Sequence, residues 1–433
     1  MPSVSVIIPT HNRRVALRRT LDALAIQTYP LQQMEVLVVA DGCADDTIQM
    51  LQGYTGPLAL RVLEQSSQGA GVARNRGASC AAGELLVFLD DDIEATTGLI
   101  EAHVSAHKRR PGHVVIGYLP LILAPRANFF NIELRTWWEA MFDIMRRPGH
   151  RYTYRNLLSG NFSLEARIFK TVGGFDASFR VHEDYELGLR LIKGNIPFLF
   201  VPEAMGYHYE ETDLGRSLER KFEEGIADVL LCRRHPELCP VLPLAYFSSF
   251  SRITRFLGIF AFQGARISNG FVALLRFVLQ TLEKIRYRRR WRQILEGLLG
   301  YYYWLGVARE LGTRKALHDF LKEKGPSPGK GSAEIEIDLQ EGLQTAERRL
   351  DQERPVGAYI RYGQRFVGHI PPQVGAERLR GAHLRPMLAN HFSKHLVKVL
   401  ALEGQIESWV DRDQLFEVCG LTHLEPVYRD KRR

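Results

Sequence analysis

The sequence predicts an α/β fold with a mostly parallel central sheet and helices on both faces. An α-helical region and a small α+β domain follow. Three observations lead there. Over residues 1 to about 210, short apolar β-branched runs alternate with helix-period stretches, the pattern of strands joined by crossover helices. From about Leu214 to Phe320 the chain reads as helical and very apolar. Beyond a Pro/Gly/Ser/Lys-rich stretch, Lys322–Ser332, it alternates briefly and turns helical again. The expected boundaries are 1–212 for the sheet domain, 213–321 for the helical region, 322–333 for a linker and 334–433 for the small domain.

The elements follow in order. "VSVIIPT" is a buried strand, and Leu17, Leu21 and Leu24 mark one face of the next helix. "EVLVVA" is a second strand ending at Asp41, with a short helix from about Asp45 to Gln52 behind it. "LALRVLE" is a third strand, "GAGVARNRGASCAAG" a small-residue helix, and "LLVFL" a strand ending at Asp90. In such sheets ligands sit at the carboxyl ends of the strands, where Asp41 and Asp90 fall. In the last domain "AEIEIDL" reads as a half-buried strand. "VGAYIRYGQRFVGHI" reads as a hairpin turning near Tyr362 to Gln364, and Ala376 to Leu402 as helix. Nothing in that domain looks catalytic. Its histidines show no ligand grouping, and His391 and His395, four apart, have no evident carboxylate partner, so they read as ordinary surface or core residues.

Composition sets further bounds. The chain has 433 residues, 45% hydrophobic and 24% charged, enough for two or three ordinary globular domains. The five cysteines form no zinc pattern, so reduced thiols in a cytoplasmic protein are expected. The N-terminus opens directly into a strand, and no signal peptide is expected. The net charge of +8 suggests an anionic partner. Much of the excess lies in "KIRYRRRWR", Lys284 to Arg292. That run is either a solvated helix face or a patch for an anionic membrane. No nucleic-acid module accompanies it, so nucleic acid is not expected as a partner. The apolar helices before it carry Arg252, Arg255, Arg266 and Arg276. They suit the membrane interface, on the cytoplasmic face, better than a spanning helix. Packing on the sheet domain or on a second subunit is the other reading, so an oligomer stays open.

Four short motifs carry chemistry. "FLDDDIEA" sets Asp90, Asp91 and Asp92 after a buried strand. Clustered carboxylates need a compensating cation, and hard oxygens suit magnesium or manganese; a polar loop capping the next helix is the bland alternative. "VVADGCADDT" offers Asp41 to a base or ribose, or is a simple turn. "HEDYELGLRL" puts Glu183 and Asp184 at a helix N-terminus, with Leu187 and Leu191 on the buried side. The macrodipole there favours an ionised Asp, either a general base or a capping charge. In "GYHYE", His208 follows a strand and is either structural or a neutral metal ligand.

Taken in order, "VSVIIPTHNR", "QTYP", "EVLVVADGCADDT", "GVARNRG", "GELLVFLDDDIEA", "SGNFSLEARIFKTVGGFDASF" and "HEDYELGLRL" resemble the family 2 glycosyltransferases of the GT-A fold, over about Ser3 to Glu210. The resemblance implies an inverting, metal-dependent transfer from a nucleotide-sugar donor to a glycan or lipid-linked acceptor. Donor nucleotide contacts would fall to Pro9, Thr10, Asn12, Arg13, Asp41, Arg74, Asp90 and Asp91. The metal, Mg2+ or Mn2+, would fall to Asp92, Asp90 and His208. Asp184 matches the base, and Asn161, Glu183 and Arg190 match the acceptor side. One departure is Cys43, where the family's motif has serine, which puts a turn hydrogen bond in doubt. A nucleotidyltransferase would leave the Asp184 motif without purpose, and intact acidic motifs argue against a non-catalytic scaffold. Membrane contact would involve residues 241–292.

Overall fold

The run Val4–Thr10 becomes strand β1, buried along its whole length, as an apolar run covered on both faces should be. β2 (Met34–Asp41), β3 (Ala59–Gln65) and β4 (Leu85–Leu89) extend the sheet around it. β1 pairs in parallel with β2 and β4, and β2 with β3. The crossover helices are α1 (Arg14–Leu24), α2 (Thr47–Gln52) and α3 (Ala70–Cys80). Leu17, Leu21 and Leu24 are the buried stripe of α1, as their spacing requires. This is a computed structural model describing residues 3–123, 127–209, 212–249, 258–262, 268–324 and 334–405.

Beyond β4 come β5 (Ile93–Ala95), β6 (Val114–Tyr118), β7 (Leu121–Ile122), β8 (Asn161–Glu165) and β9 (Phe198–Tyr209). The order across the sheet is β3-β2-β1-β4-β8-β6-β9-β5, with β7 on β9. β8 runs antiparallel to β4 and β6, and β5 antiparallel to β9. The remaining pairs are parallel, so the mostly parallel α/β sheet stands as expected. Phe88 of β4 faces Phe162 of β8 in register, with stacked rings 4.7 Å apart. Burying such a side chain contributes roughly 1.5–3 kcal/mol, so this contact helps fasten the reversed strand to the parallel half. Helices α4 (Leu99–Arg109), α5 (Phe129–Met145), α6 (Ala166–Thr171), α7 (Glu183–Lys193) and α8 (Leu214–Arg234) complete this part of the chain.

Contacts divide the chain into two compact units, Met1–Met141 with Tyr154–Ser327, and Phe142–Thr153 with Pro328–Arg433. In the first, α8 packs along the helix Arg288–Leu311. Cys232 and Cys239 of this region are joined as a disulfide, which corrects the expectation of five reduced thiols: the turn after α8 brings their Cα atoms to 5.0 Å, within disulfide reach. No helix among the described residues is long and apolar enough to cross a membrane. Arg252, Arg255 and Arg266, and most of the linker, lie outside the described residues.

The second unit has a three-stranded sheet. β10 (Ile335–Asp338) runs parallel to β11 (Ala358–Tyr362), which pairs antiparallel with β12 (Arg365–Ile370). The hairpin turns where the alternation placed it. Ile337, Leu350, Ile360, Val367, Leu384 and Leu396 form the core. The segment 142–153 joins this unit through Arg151. Its Nε donates to the Glu377 carbonyl at 2.6 Å and its guanidinium to the Val356 carbonyl at 2.8 Å.

Candidate active site

The carboxyl ends of β1, β2 and β4 converge. Asp41, at the end of β2, is buried. Its Oδ1 accepts from Gln65 Nε2 and the Gln68 amide, each at 2.8 Å, and its Oδ2 from the Gly69 amide at 2.8 Å. That fastens the loop entering α3. Gly42 turns the chain with φ +70°, and a Cβ there would lie 2.7 Å from the Ser67 amide, so the turn needs glycine. Asn12, also left-handed at φ 55°, accepts from the Ala44 amide at 2.7 Å. Cys43 keeps the turn closed. Its thiol donates to the Thr10 carbonyl at 3.6 Å and accepts from the Asn12 amide at 3.4 Å.

The three aspartates after β4 have three different environments. Asp90 is half-buried and takes a bond from Arg74 at 2.6 Å. Asp91 is buried and accepts from the Thr10 hydroxyl at 2.6 Å. Burial, and then the charge of Asp92, push its carboxyl up to about 7. Asp92 is buried too. Burial would raise it, but His208 and Arg13 outweigh that and hold its carboxyl below the usual range. The Arg13 guanidinium pairs with Asp92 Oδ2 and lies 3.3 Å from Asp91 Oδ1. It is a cation already facing both carboxylates.

His208, on β9, brings Nε2 to 3.5 Å from Asp92 Oδ1, and that buried oxygen accepts no hydrogen bond. A carboxylate oxygen so placed beside an imidazole fits a divalent cation, which uses few protein ligands when substrate phosphates supply the rest. Among the described residues no three His, Cys, Asp or Glu side chains form a cage.

Arg74 ties this cluster to α7. It is buried in α3, and its second nitrogen donates to Glu183 Oε1 at 3.0 Å. Burial, and then the charge of Asp184, raise the Glu183 carboxyl. Asp184 Oδ2 accepts from the Ser159 amide at 3.4 Å, while the next carbonyl, Gly160, accepts from the Asp90 amide at 3.1 Å. Two routes, one through Arg74 and Glu183 and one through this loop, thus link the strand end at Asp90 to the start of α7.

Not every expected residue joins the cleft. Pro9 is buried within β1. Asn161 is 1% exposed. Its amide is taken up by His103 Nε2 at 2.9 Å and the Ala204 carbonyl at 2.8 Å, so it faces the core. Arg190 turns to Glu186 and to the carbonyls of Val172 and Gly174, fastening the loop before α7. Conversely, no motif pointed to Trp138, whose ring lies 5.3 Å from that of His208, or to Arg220, whose charge acts on Glu183 and Tyr185. His103 and His107, four apart on α4, share the Ser163 hydroxyl at 2.8 Å each.

A model of the family Glycosyl transferase family 2 matches residues 5–173. The validoxylamine A glucosyltransferase of Streptomyces hygroscopicus subsp. jinggangensis (strain 5008) is 32% identical over 276 residues, which are 56% of this chain and 63% of that protein. The glucosyl-dolichyl phosphate glucuronosyltransferase of Haloferax volcanii is 27% identical over 181 residues, 40% of this chain and 56% of that protein. The chain thus spans less than two thirds of the length of these curated relatives. Among solved structures, the mannosyltransferase PcManGT from Pyrobaculum calidifontis, in complex with GDP-Man and Mn2+, aligns at 18% identity with a TM-score of 0.48, covering 69% of this chain and 86% of that one. Residues 5 to 173, with the acidic cluster inside them, are the part of the chain that matches the family 2 glycosyltransferase model.

Proposed function

We propose that the protein transfers a sugar from a nucleoside-diphosphate donor to an acceptor hydroxyl, in one inverting displacement. The observation that carries this reading is the junction of two carboxylate groups. Arg74 bonds both Asp90 and Glu183, so the strand-end cluster and the helix-borne Asp184 address one volume. Asp184 takes the proton of the acceptor hydroxyl as that oxygen attacks the anomeric carbon. Such general-base help is worth roughly 10²–10⁴ in rate. Asp41 and the turn at Asn12 line the nucleotide end. Arg13 pairs with the carboxylates and stands ready to meet the departing diphosphate.

Asp92 and His208 would hold Mg2+ or Mn2+. A bound divalent ion would supply charge stabilisation to the leaving diphosphate, worth several kcal/mol in comparable sites. EDTA is expected to abolish donor turnover and manganese to restore it. Full turnover in metal-free buffer would remove the metal from this account.

The exposed surface of the helical region supports a membrane-associated acceptor. The helix Ser268–Lys284 exposes Phe271, Leu274 and Phe277, and Ile285 and Tyr287 follow, also exposed. Arg286, Arg289 and Arg290 stand exposed among them. Apolar side chains interleaved with arginines suit the surface of an anionic bilayer. A lipid-linked acceptor held there would reach a peripheral enzyme on the cytoplasmic face.

A further inference from the structure

The helical region was expected either to meet a membrane or to pack on the sheet domain or a second subunit. Buried polar groups in it face α7. Helix α8 and the helix Arg288–Leu311 cross at Gly225 and Gly306. A Cβ on Gly225 would sit 2.1 Å from the Tyr303 carbonyl oxygen, and one on Gly306 would sit 1.9 Å from that of Phe222. The backbones therefore touch, and close packing leaves the pair little freedom to shift. Asp228 lies three residues after Gly225, and Tyr303 three before Gly306, so each stays near the crossing. The Tyr303 hydroxyl donates to Asp228 Oδ2 at 2.7 Å. Asp228 is 2% exposed and Tyr303 6%.

The other carboxylate oxygen of Asp228 lies 3.2 Å from His182 Nδ1, near enough to attract the ring, although the alignment makes no hydrogen bond. His182 immediately precedes Glu183 and Asp184 and is the N-cap of α7, yet its side chain caps nothing. An N-cap is usually an extended Ser, Thr, Asp or Asn whose oxygen takes a helix amide. His182 is left-handed instead, at φ 61°, which costs a non-glycine residue about 1–2 kcal/mol. Its carbonyl accepts the first helical bond, from the Glu186 amide at 3.0 Å. Its ring stacks on Tyr185 at 4.6 Å. A cavity of about 310 Å³ separates part of the preceding loop, Phe179 to Val181, from Ile226 and Ala227 of α8. His182 carries its left-handed strain without a capping bond in return. Strain of this kind persists where the surroundings over-determine it.

We propose that Tyr303 and Asp228 are positioning residues: they hold His182 in its left-handed conformation and thereby aim Glu183 and Asp184. The helix pair is then a working part of the active site. This inference rests on Asp184 being the base, and misplacing a reacting group by about 1 Å can cost on the order of 100-fold in rate.

The test compares the full chain with Tyr303→Phe and Asp228→Asn by two measurements. The first is amide hydrogen exchange without any substrate. Peptides covering residues 181–189 are expected to exchange about tenfold faster in both variants, with β1 and α3 unchanged. Unchanged exchange over 181–189 overturns the proposal. The second is nucleoside-diphosphate release from UDP-, GDP- and dTDP-glucose with manganese. We expect kcat to fall about tenfold or more while the donor KM stays within about twofold. An unchanged kcat, or a loss confined to KM, overturns it too. If the parent chain turns over none of these donors, the glycosyltransferase reading is in question, and hydrogen exchange still decides the positioning. If Asp228→Asn does not fold, Tyr303→Phe, which loses one hydroxyl, carries both measurements.

Discussion

Replacing Arg74 by methionine strands two carboxylates that the fold brings to one guanidinium. The Arg74 side chain is 4% accessible, Glu183 12% and Asp90 33%. Removing one partner of a buried ion pair costs roughly 3–5 kcal/mol, because the remaining charge has neither water nor a counterion. Asp90 keeps part of its hydration, so its share is discounted. Glu183 is enclosed and bears most of the loss, which puts the expected destabilisation near the lower end, about 3 kcal/mol. For a unit of this size that lowers Tm by roughly 4–5 °C. The assay is thermal unfolding of Arg74→Met, Glu183→Gln and the double variant. Neutralising Glu183 in the Arg74→Met background should recover a large part of the loss, since it removes the stranded charge, and the double-mutant cycle isolates that coupling. A single-variant loss below about 1 kcal/mol, or a double variant no more stable than Arg74→Met, would refute the view of Arg74 as the tie between the two carboxylate groups.

The remaining predictions concern pH and lipid. Burial lowers His103 and His107 from an ordinary 6.5 to about 4. The unfolded chain therefore takes up protons that the folded chain refuses in that window. Stability is intact above about pH 6.5 and falls as pH drops toward 4, by roughly 2 kcal/mol at pH 5 for the fully buried His103 and less for His107. Thermal unfolding between about pH 7.5 and pH 5 checks this, and a flat profile would contradict it. The chain should sediment with vesicles containing anionic lipid and lose that association when Arg288, Arg289 and Arg290 are replaced by serine. Each basic residue near the surface contributes about 1 kcal/mol. Part of any loss at Arg288 reflects its pairing with Glu133 at 2.7 Å, so a variant of Arg289 and Arg290 alone should show most of the effect. Equal sedimentation of parent and variants would exclude the basic run as the contact.

Much of the strand-end acidic cluster was legible in the sequence. Strand runs such as "LLVFL" carry their period and length openly, and Asp41 and Asp90 fall at their ends because apolar runs stop at charge. The differing environments of Asp90, Asp91 and Asp92 were not legible, because they depend on Arg13 and Arg74, which arrive from other elements. The reversal at β8 was hidden for a related reason: alternation reports faces and not direction. Asn161 and Arg190 sit in motifs that point to the acceptor side, yet their amide and guanidinium groups satisfy buried carbonyls and carboxylates. Local motif and tertiary hydrogen bonding disagree there, and burial decides. The link from Tyr303 through Asp228 to His182 spans more than a hundred residues of chain, and no local spacing announces it.

The central claim is that Asp184 removes the acceptor proton at a site that holds a nucleotide sugar. The most direct measurement pairs transfer with donor binding for the parent chain and Asp184→Asn, across UDP-, GDP- and dTDP-sugars with manganese. The account predicts that at least one donor raises the melting temperature of both proteins equally. It also predicts that only the parent transfers sugar, with a loss in the variant on the order of 10²-fold or more. Unchanged turnover in Asp184→Asn, or no stabilisation of the parent by any nucleotide sugar, would contradict it.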